Sequence, residues 1–392
     1  MKKITYIDET EIKNKIILLR VDFNVSLNPN YTISNDARIK QSLPTINYLL
    51  KNDNRLIIIS HLGRPKGIDK KFSLKIVVDK LKEYLPNIEI FLAESIESVK
   101  EKKEKIIVLE NIRFFPKEKD YSTLFAKKLA SLADIYVNDA FGVSHRSDTS
   151  VIGPSKFIPG YGGLLLKKEL KMLDSFIKNP KKPIAAIIGG AKVSTKIRLL
   201  ERLTKLVDYL IIGGGLANTF LSAQGYEIGK SFCEYETTQI ARRFLAKQTS
   251  KKPYIFLPKD VVVGENKESK QSEIIKIKNI PVDKCIFDVG PETTAEIGHI
   301  LAQAKTIIWN GPVGYFENPI FRGGTDFVYY SITHNNEAIS IVGGGDTLAA
   351  ISKKEYLDKI THISTGGEAM LEYIEKGTLP GTEALKHYTK KT

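Results

Sequence analysis

Apolar runs in the first half of the chain each end on residues that could bind an anion. The run 16–21 (IILLRV) leads into Asp22-Phe23-Asn24, and 56–60 (LIIIS) leads into His61-Leu62-Gly63-Arg64-Pro65. The run 106–109 (IIVL) leads into Glu110-Asn111-Ile112-Arg113, and 135–137 (IYV) into Asn138-Asp139-Ala140, with His145-Arg146 close behind. Arg38 follows a turn-rich loop at 28–36. Arginine's rigid fork suits phosphate and carboxylate. One such arginine is usually a surface ion pair. Arg38, Arg64, Arg113 and Arg146, with His61, form a repeated pattern that suits a small, multiply charged anion.

In the second half, glycines take those places. The run 184–188 leads into Gly189-Gly190-Ala191-Lys192-Val193-Ser194-Thr195-Lys196, and 208–212 into Gly213-Gly214-Gly215. The run 306–309 leads into Asn310-Gly311-Pro312-Val313-Gly314, and 338–342 into Gly343-Gly344-Gly345-Asp346-Thr347. Ser364-Thr365-Gly366-Gly367 repeats the theme. Glycine lets backbone N–H groups approach phosphate oxygens, and a following helix adds its dipole. Lys192 and Lys196 add point charges. Asp346 is a carboxylate of the kind that holds Mg²⁺ beside phosphates. Any one of these glycine turns could be only a tight connection between strand and helix; their number argues for phosphate.

Other chemistries lack their signatures. Gly225-Tyr226-Glu227-Ile228-Gly229-Lys230-Ser231 resembles a Walker A loop but is one residue short, with Gln224 in the required first position. No G-x-G-x-x-G opens a helix after a strand, and no G-x-S-x-G elbow is present. The six histidines show no metal-ligand spacing.

The elements that must position these residues are short apolar runs alternating with helical patterns. The strands expected are those named above, with 254–257 and 284–288 in the second half. They are apolar on both faces, as buried parallel strands are. Helical segments such as 74–85 and 196–207 lie between them, which implies βαβ units and sheets covered on both faces. The segment 167–183 reads as a connecting helix whose apolar period stops at Ile177, before Asn179-Pro180.

Length and composition fit this scheme. A chain of 392 residues exceeds the roughly 250–300 that one core supports, so two domains are expected. The chain is 42% hydrophobic and 27% charged, ordinary for a globular protein. No run approaches a membrane span of ~18 apolar residues. Asp8, Glu9 and Glu11 exclude the apolar core of a signal peptide, so no export is expected. Cys233 and Cys285 are expected as buried, reduced thiols. The net charge of +14 fits anionic substrates and solvated helix faces; it also leaves open a polyanion partner.

Taken in order, the motifs resemble the phosphoglycerate kinase family over essentially the whole chain. They are RVDFN (20–24), SHLGRP (60–65), LENIRF (109–114), YVNDAFG with HR (136–146) and KKEL (167–170). They continue as GGAKVSTKI (189–197), GYEIGKS (225–231), DVGP (288–291), WNGPVGYFE (309–317), GGGDT (343–347) and STGG (364–367). The resemblance implies an α/β protein of two Rossmann-like domains, with parallel sheets flanked by helices and joined by a helical hinge. It implies a phosphoglycerate-binding domain at 1–172, a nucleotide-binding domain at 173–375, and a segment 376–392 returning to the first. The implied reaction is reversible: 1,3-bisphosphoglycerate and MgADP give 3-phosphoglycerate and MgATP.

By the same resemblance, Asp22, Phe23, Asn24, Arg38, His61, Leu62, Gly63, Arg64, Arg113 and Arg146 bind the acid. Lys196, Gly213, Gly214, Asn310, Glu317 and Gly343, Gly344, Gly345, Asp346 and Thr347 bind nucleotide, with Glu317 on the ribose and Asp346 on Mg²⁺. Arg38, Lys192, Lys196, Gly344 and Gly367 serve the transfer. A cytoplasmic monomer that closes about its hinge is implied, without membrane or obligatory nucleic acid. Four positions depart from the family pattern: Ser26 for proline, Thr195 for aspartate, Asp148 for a second histidine and Glu368 for a third glycine. None removes an assigned residue. Two other functions stay open at this point. A kinase for a different acid would be separated by a substrate panel, and a nucleic-acid binder by salt-dependent binding to random DNA.

Overall fold

The computed structural model describes residues 3–248, 253–351 and 355–386. The chain divides into two compact units, Met1–Lys171 with the segment from Lys376 onward, and Met172–Glu375. The division falls inside one helix, Leu164–Lys178.

The first unit is built on a six-stranded parallel sheet. Its order is Ile90–Ala93, Ile106–Leu109, Arg55–Ile59, Ile16–Arg20, Ile135–Asn138, Gly160–Gly162. The central strands are buried on both faces, and one core joins Ile17, Leu19, Leu56 and Ile58 to Ile46, Leu49, Val77 and Leu81 on the covering helices. The helix Lys75–Tyr84 shows why: Val77, Val78 and Leu81 face the core, while Lys75 and Asp79 pair at 3.0 Å in solvent. Of the expected returning segment, residues 387–392 lie outside the described residues. Leu379 and Leu385 are buried, and the Gly381 N–H donates to the Ser144 carbonyl at 2.8 Å.

The helix Leu164–Lys178 begins on a buried carboxylate. Asp139 Oδ1 accepts the Leu165 and Leu166 N–H groups at 2.9 and 3.1 Å, and Thr45 Oγ1 accepts that of Leu164 at 3.1 Å. These are unpaired donors of a first helical turn. Burial pushes the Asp139 carboxyl up to about 7.

The second unit also has a six-stranded parallel sheet. Its order is Tyr254–Phe256, Tyr209–Ile212, Ile184–Ile188, Thr306–Asn310, Ile339–Gly343, His362–Ile363. Counted within the unit this is 3-2-1-4-5-6, the Rossmann order, whose direction reverses between Ile184–Ile188 and Thr306–Asn310.

One expected strand belongs elsewhere. Cys285–Val289 pairs antiparallel with Asp260–Gly264 in a separate three-stranded sheet completed by Glu273–Lys276. No helix crosses over before it, and parallel pairing needs such a crossover. Three of its five residues are only half-buried. The helix expected over 196–207 is shorter, Ile197–Leu203, so Lys196 stands at its cap. Both cysteines are free, and both are half-buried rather than buried.

Candidate functional site

In the first unit the expected residues gather at the carboxyl end of the sheet. Asp22 is buried, and Arg38 Nη1 donates to its Oδ2 at 2.5 Å. Burial alone would raise the Asp22 carboxyl. The charges of Arg38 and Arg20, the Asn24 N–H and, once it is protonated in acid, His61 outweigh it, and its pKa falls to about 2. Asn24 Oδ1 accepts the Gly63 N–H at 2.8 Å, which ties the two loops together. Arg113 donates from Nη1 to the Gly63 carbonyl, while its buried Nε has no partner among the described residues. Arg146 Nε donates to His145 Nε2 at 3.3 Å. Arg64 is exposed. Burial holds His61 well below the usual histidine range, opposed by Asp22 and assisted by Arg20, Arg113 and Arg146. His61 is therefore neutral at pH 7.

Phe23 and Leu62 were expected at this rim, but their side chains lie in the core. Their backbones fix the loops instead: the Phe23 N–H donates to Ser60 Oγ at 2.8 Å, and that of Leu62 to Asn111 Oδ1 at 3.3 Å. Arg20, Ser60 and Asn111 were not singled out from the sequence. A charge inside the apolar run IILLRV was the available signal for Arg20.

In the second unit the glycine loops are knitted together at the reversal point. The Gly189 N–H donates to the Asn310 carbonyl at 2.9 Å and that of Gly214 to the Val313 carbonyl at 3.1 Å. Asn310 Nδ2 donates to the Gly343 carbonyl at 2.9 Å, and the Gly311 N–H to Thr347 Oγ1 at 2.7 Å. Lys196 Nζ donates to the Gly189 carbonyl at 2.6 Å and to Asn310 Oδ1 at 3.3 Å. Burial pushes this ammonium down to about 8, with Asp346 opposing.

A cleft of about 500 Å³ opens in front of these loops. Of the expected nucleotide residues, Gly214, Glu317 and Asp346 line it. Gly213, packed under Val313, stands behind with Lys196, Asn310 and Thr347. Gly343 sits under Met370, and Gly344 (φ +107°) lies against Gly367. Lys192 is exposed and is not a lining residue.

Other parts of the walls come from residues the sequence did not mark, among them Phe232 and Val261. Lys230 of the Walker-like segment also reaches the cleft, although its loop follows the helix Gly214–Ala223 and is not a phosphate loop.

Gly189 has no room for a side chain, since a Cβ there would meet the Pro312 carbonyl oxygen at 2.0 Å. Gly189→Ala should therefore part the two loops, at a cost on the order of 1–3 kcal/mol. A lowered Tm with weakened nucleotide binding is expected. An unchanged Tm would show that the loops can yield.

Two parallel α/β units, one ending its strands on arginines and the other on a glycine-walled cleft, have the features of a two-domain phosphotransferase acting on a small anion. The family model described as phosphoglycerate kinase matches residues 7–377. The chain belongs to the phosphoglycerate kinase family.

A phosphoglycerate kinase of Dictyoglomus turgidum is 44% identical over 98% of this chain and 100% of its own length. The cytosolic phosphoglycerate kinase 3 of Arabidopsis thaliana is 42% identical, covering 98% of each chain. The phosphoglycerate kinase structure from Coxiella burnetii superposes with a TM-score of 0.87 at 40% identity, over 98% of this chain and 99% of that one. Members of the family are glycolytic kinases that transfer phosphate between ATP and 3-phosphoglycerate, and this is the reaction of the chain.

Proposed function

We propose that the arginine-lined rim of the first unit binds 3-phosphoglycerate and 1,3-bisphosphoglycerate, and that the cleft of the second binds ADP and ATP with Mg²⁺. The observation that carries this assignment is the cleft, where Gly214, Glu317 and Asp346 meet at the strand-order reversal with Lys196 behind them. Such reversal points are where open α/β sheets bind ligands.

In this proposal Arg64, Arg113 and Arg146 hold the acid's anionic groups, with Asp22, Asn24 and His61 shaping the rim. Glu317 takes the ribose, and Lys196 and the glycine loops take the phosphates. Asp346 fits a cation that arrives on the nucleotide. Among the described residues no three His, Cys, Asp or Glu side chains cluster as a cage, and Mg²⁺ is commonly held by one or two carboxylates plus phosphates. Bound there, Mg²⁺ neutralises phosphate charge.

In the ATP-consuming direction, a carboxylate oxygen of 3-phosphoglycerate forms a bond to the γ-phosphorus. The bond from that phosphorus to the β,γ-bridging oxygen breaks, and ADP leaves. The acceptor is already ionised, so no general base is needed. Catalysis is positioning and charge stabilisation. Arg38, Lys192 and the N–H groups near Gly344 and Gly367 act on the transferring group.

We place the protein in the cytoplasm as a monomer. No helix among the described residues is long and apolar enough to cross a membrane, and both cysteines are free.

The test is MgATP consumption with 3-phosphoglycerate, coupled to an NADH-oxidising dehydrogenase. Turnover of roughly 1–100 per second is expected. Folded protein that binds nucleotide but turns over another acid instead would overturn the acid assignment.

A further inference from the structure

Arg20 is a fully buried cation in a central strand, and its neighbours form a directed chain. Arginine only donates, an ionised carboxylate only accepts, and a hydroxyl can do both. Glu118 is buried, and its Oε1 and Oε2 accept from Ser150 Oγ at 2.5 Å and Ser150 N–H at 2.9 Å. Having given its proton to Glu118, Ser150 Oγ accepts from Arg20 Nε at 3.0 Å. Arg20 Nη1 donates to the Val21 carbonyl. Nη2 faces His61 Nδ1 at 3.5 Å. Tyr136 braces the far side, its hydroxyl donating to the Ser150 carbonyl at 2.9 Å.

Asp22 Oδ1 is the competing neighbour of His61 Nδ1, and it would favour a proton there. It lies 3.8 Å away, beyond hydrogen-bond reach, and already accepts the Asn24 N–H at 3.2 Å. A proton on Nδ1 would point at an Arg20 donor. The charged groups acting on His61 are Asp22, Arg20, Arg113 and Arg146, and those acting on Glu118 are Arg20 and Asp148.

We propose that Glu118 and Ser150 are positioning residues which, through Arg20, hold His61 with Nδ1 as acceptor and Nε2 as its N–H donor. Its consequence for binding rests on the assignment of His61 to the acid site. An unbraced Arg20 could turn from the ring, and His61 would then sample both tautomers. The acid would meet a donor only part of the time.

The test uses full-length protein labelled with ¹⁵N-histidine at pH 8, above the value of about 7 to which burial lifts Glu118. Long-range ¹H–¹⁵N correlation reports the tautomer, and His61→Gln assigns the signal. The unsubstituted protein should show protonated Nε2 and bare Nδ1. Glu118→Gln, nearly isosteric, and Ser150→Ala should each move Nδ1 toward the average of the two tautomers. Both should raise KM for 3-phosphoglycerate about tenfold, the scale of one weakened charge-assisted hydrogen bond, with KM for MgATP unchanged.

Val137→Ala, in the buried neighbouring strand, lowers Tm without touching the chain of contacts and should leave the His61 spectrum in place. A protonated Nδ1 in the unsubstituted protein overturns the proposal, as do unmoved spectra in folded Glu118→Gln and Ser150→Ala. Spectra that move while KM for 3-phosphoglycerate stays constant uphold the positioning and remove His61 from the acid site.

Discussion

Arg38→Ala should lower kcat by about 10²–10³-fold, the usual loss when one preorganised donor to a developing charge is removed. Its Kd for MgATP should stay within about twofold, because its charge acts on the transfer state and not on bound nucleotide. The geometry supports this division. Arg38 is anchored on Asp22 at 2.5 Å yet remains 34% exposed, so a ligand can reach its guanidinium. Single-turnover rates beside nucleotide titrations would check it; equal losses in both would assign Arg38 to nucleotide binding.

Arg38→Ala also strips Asp22 of the largest charge opposing its burial, so that carboxyl should rise from about 2. In the unsubstituted protein the Asp22 contribution to stability is present above pH ~4 and lost as pH falls through about 2. In Arg38→Ala that contribution should be smaller and its loss complete at a higher pH, which acid denaturation would measure.

Lys196 should make nucleotide binding pH-dependent in the alkaline range. With its ammonium at about 8 in the empty cleft, it is protonated at pH 7 and largely neutral by pH 9. Phosphate favours the charged form and raises the pKa on binding. At pH 6.5 almost nothing is exchanged. As pH rises through 8, uptake grows toward one proton per binding event, and affinity should fall. Calorimetry at pH 8.5 in buffers of different ionisation heat should show net proton uptake, absent at pH 6.5 and absent in Lys196→Met. Equal uptake in Lys196→Met would assign the proton to another group. That variant should also weaken MgATP about 10- to 100-fold at pH 7, as loss of a charged hydrogen-bond donor does.

The sequence was most legible where burial is symmetric. Runs such as IAAII at Ile184–Ile188 are apolar on both faces because helices cover both, and they announce parallel strands without ambiguity. Strand ends then marked the arginine-bearing loops and the glycine loops. Pairing was less legible: the apolar centre Cys285-Ile286-Phe287 reads like that of a parallel strand, and only the course of the chain before it makes Cys285–Val289 antiparallel. The edge strands Gly160–Gly162 and His362–Ile363 are too short for any period to appear. In the site, residue type identified charges but not their depth. Phe23 and Leu62 fall in the right loops with side chains turned to the core, and Arg20 lies beneath the rim because Ser150, far along the chain, offers it a partner.

The first unit is assembled from two stretches of chain separated by the whole of the second. Its loop at Ser144, next to His145 and Arg146, is held by Gly381 across a 2.8 Å hydrogen bond. During synthesis, domains generally fold as they emerge. Here residues 172–375 leave the ribosome before that clasp does, so the first unit lacks this contact while the second is still being made. A nascent chain arrested at any point short of Gly381 would carry the arginines without the brace behind them.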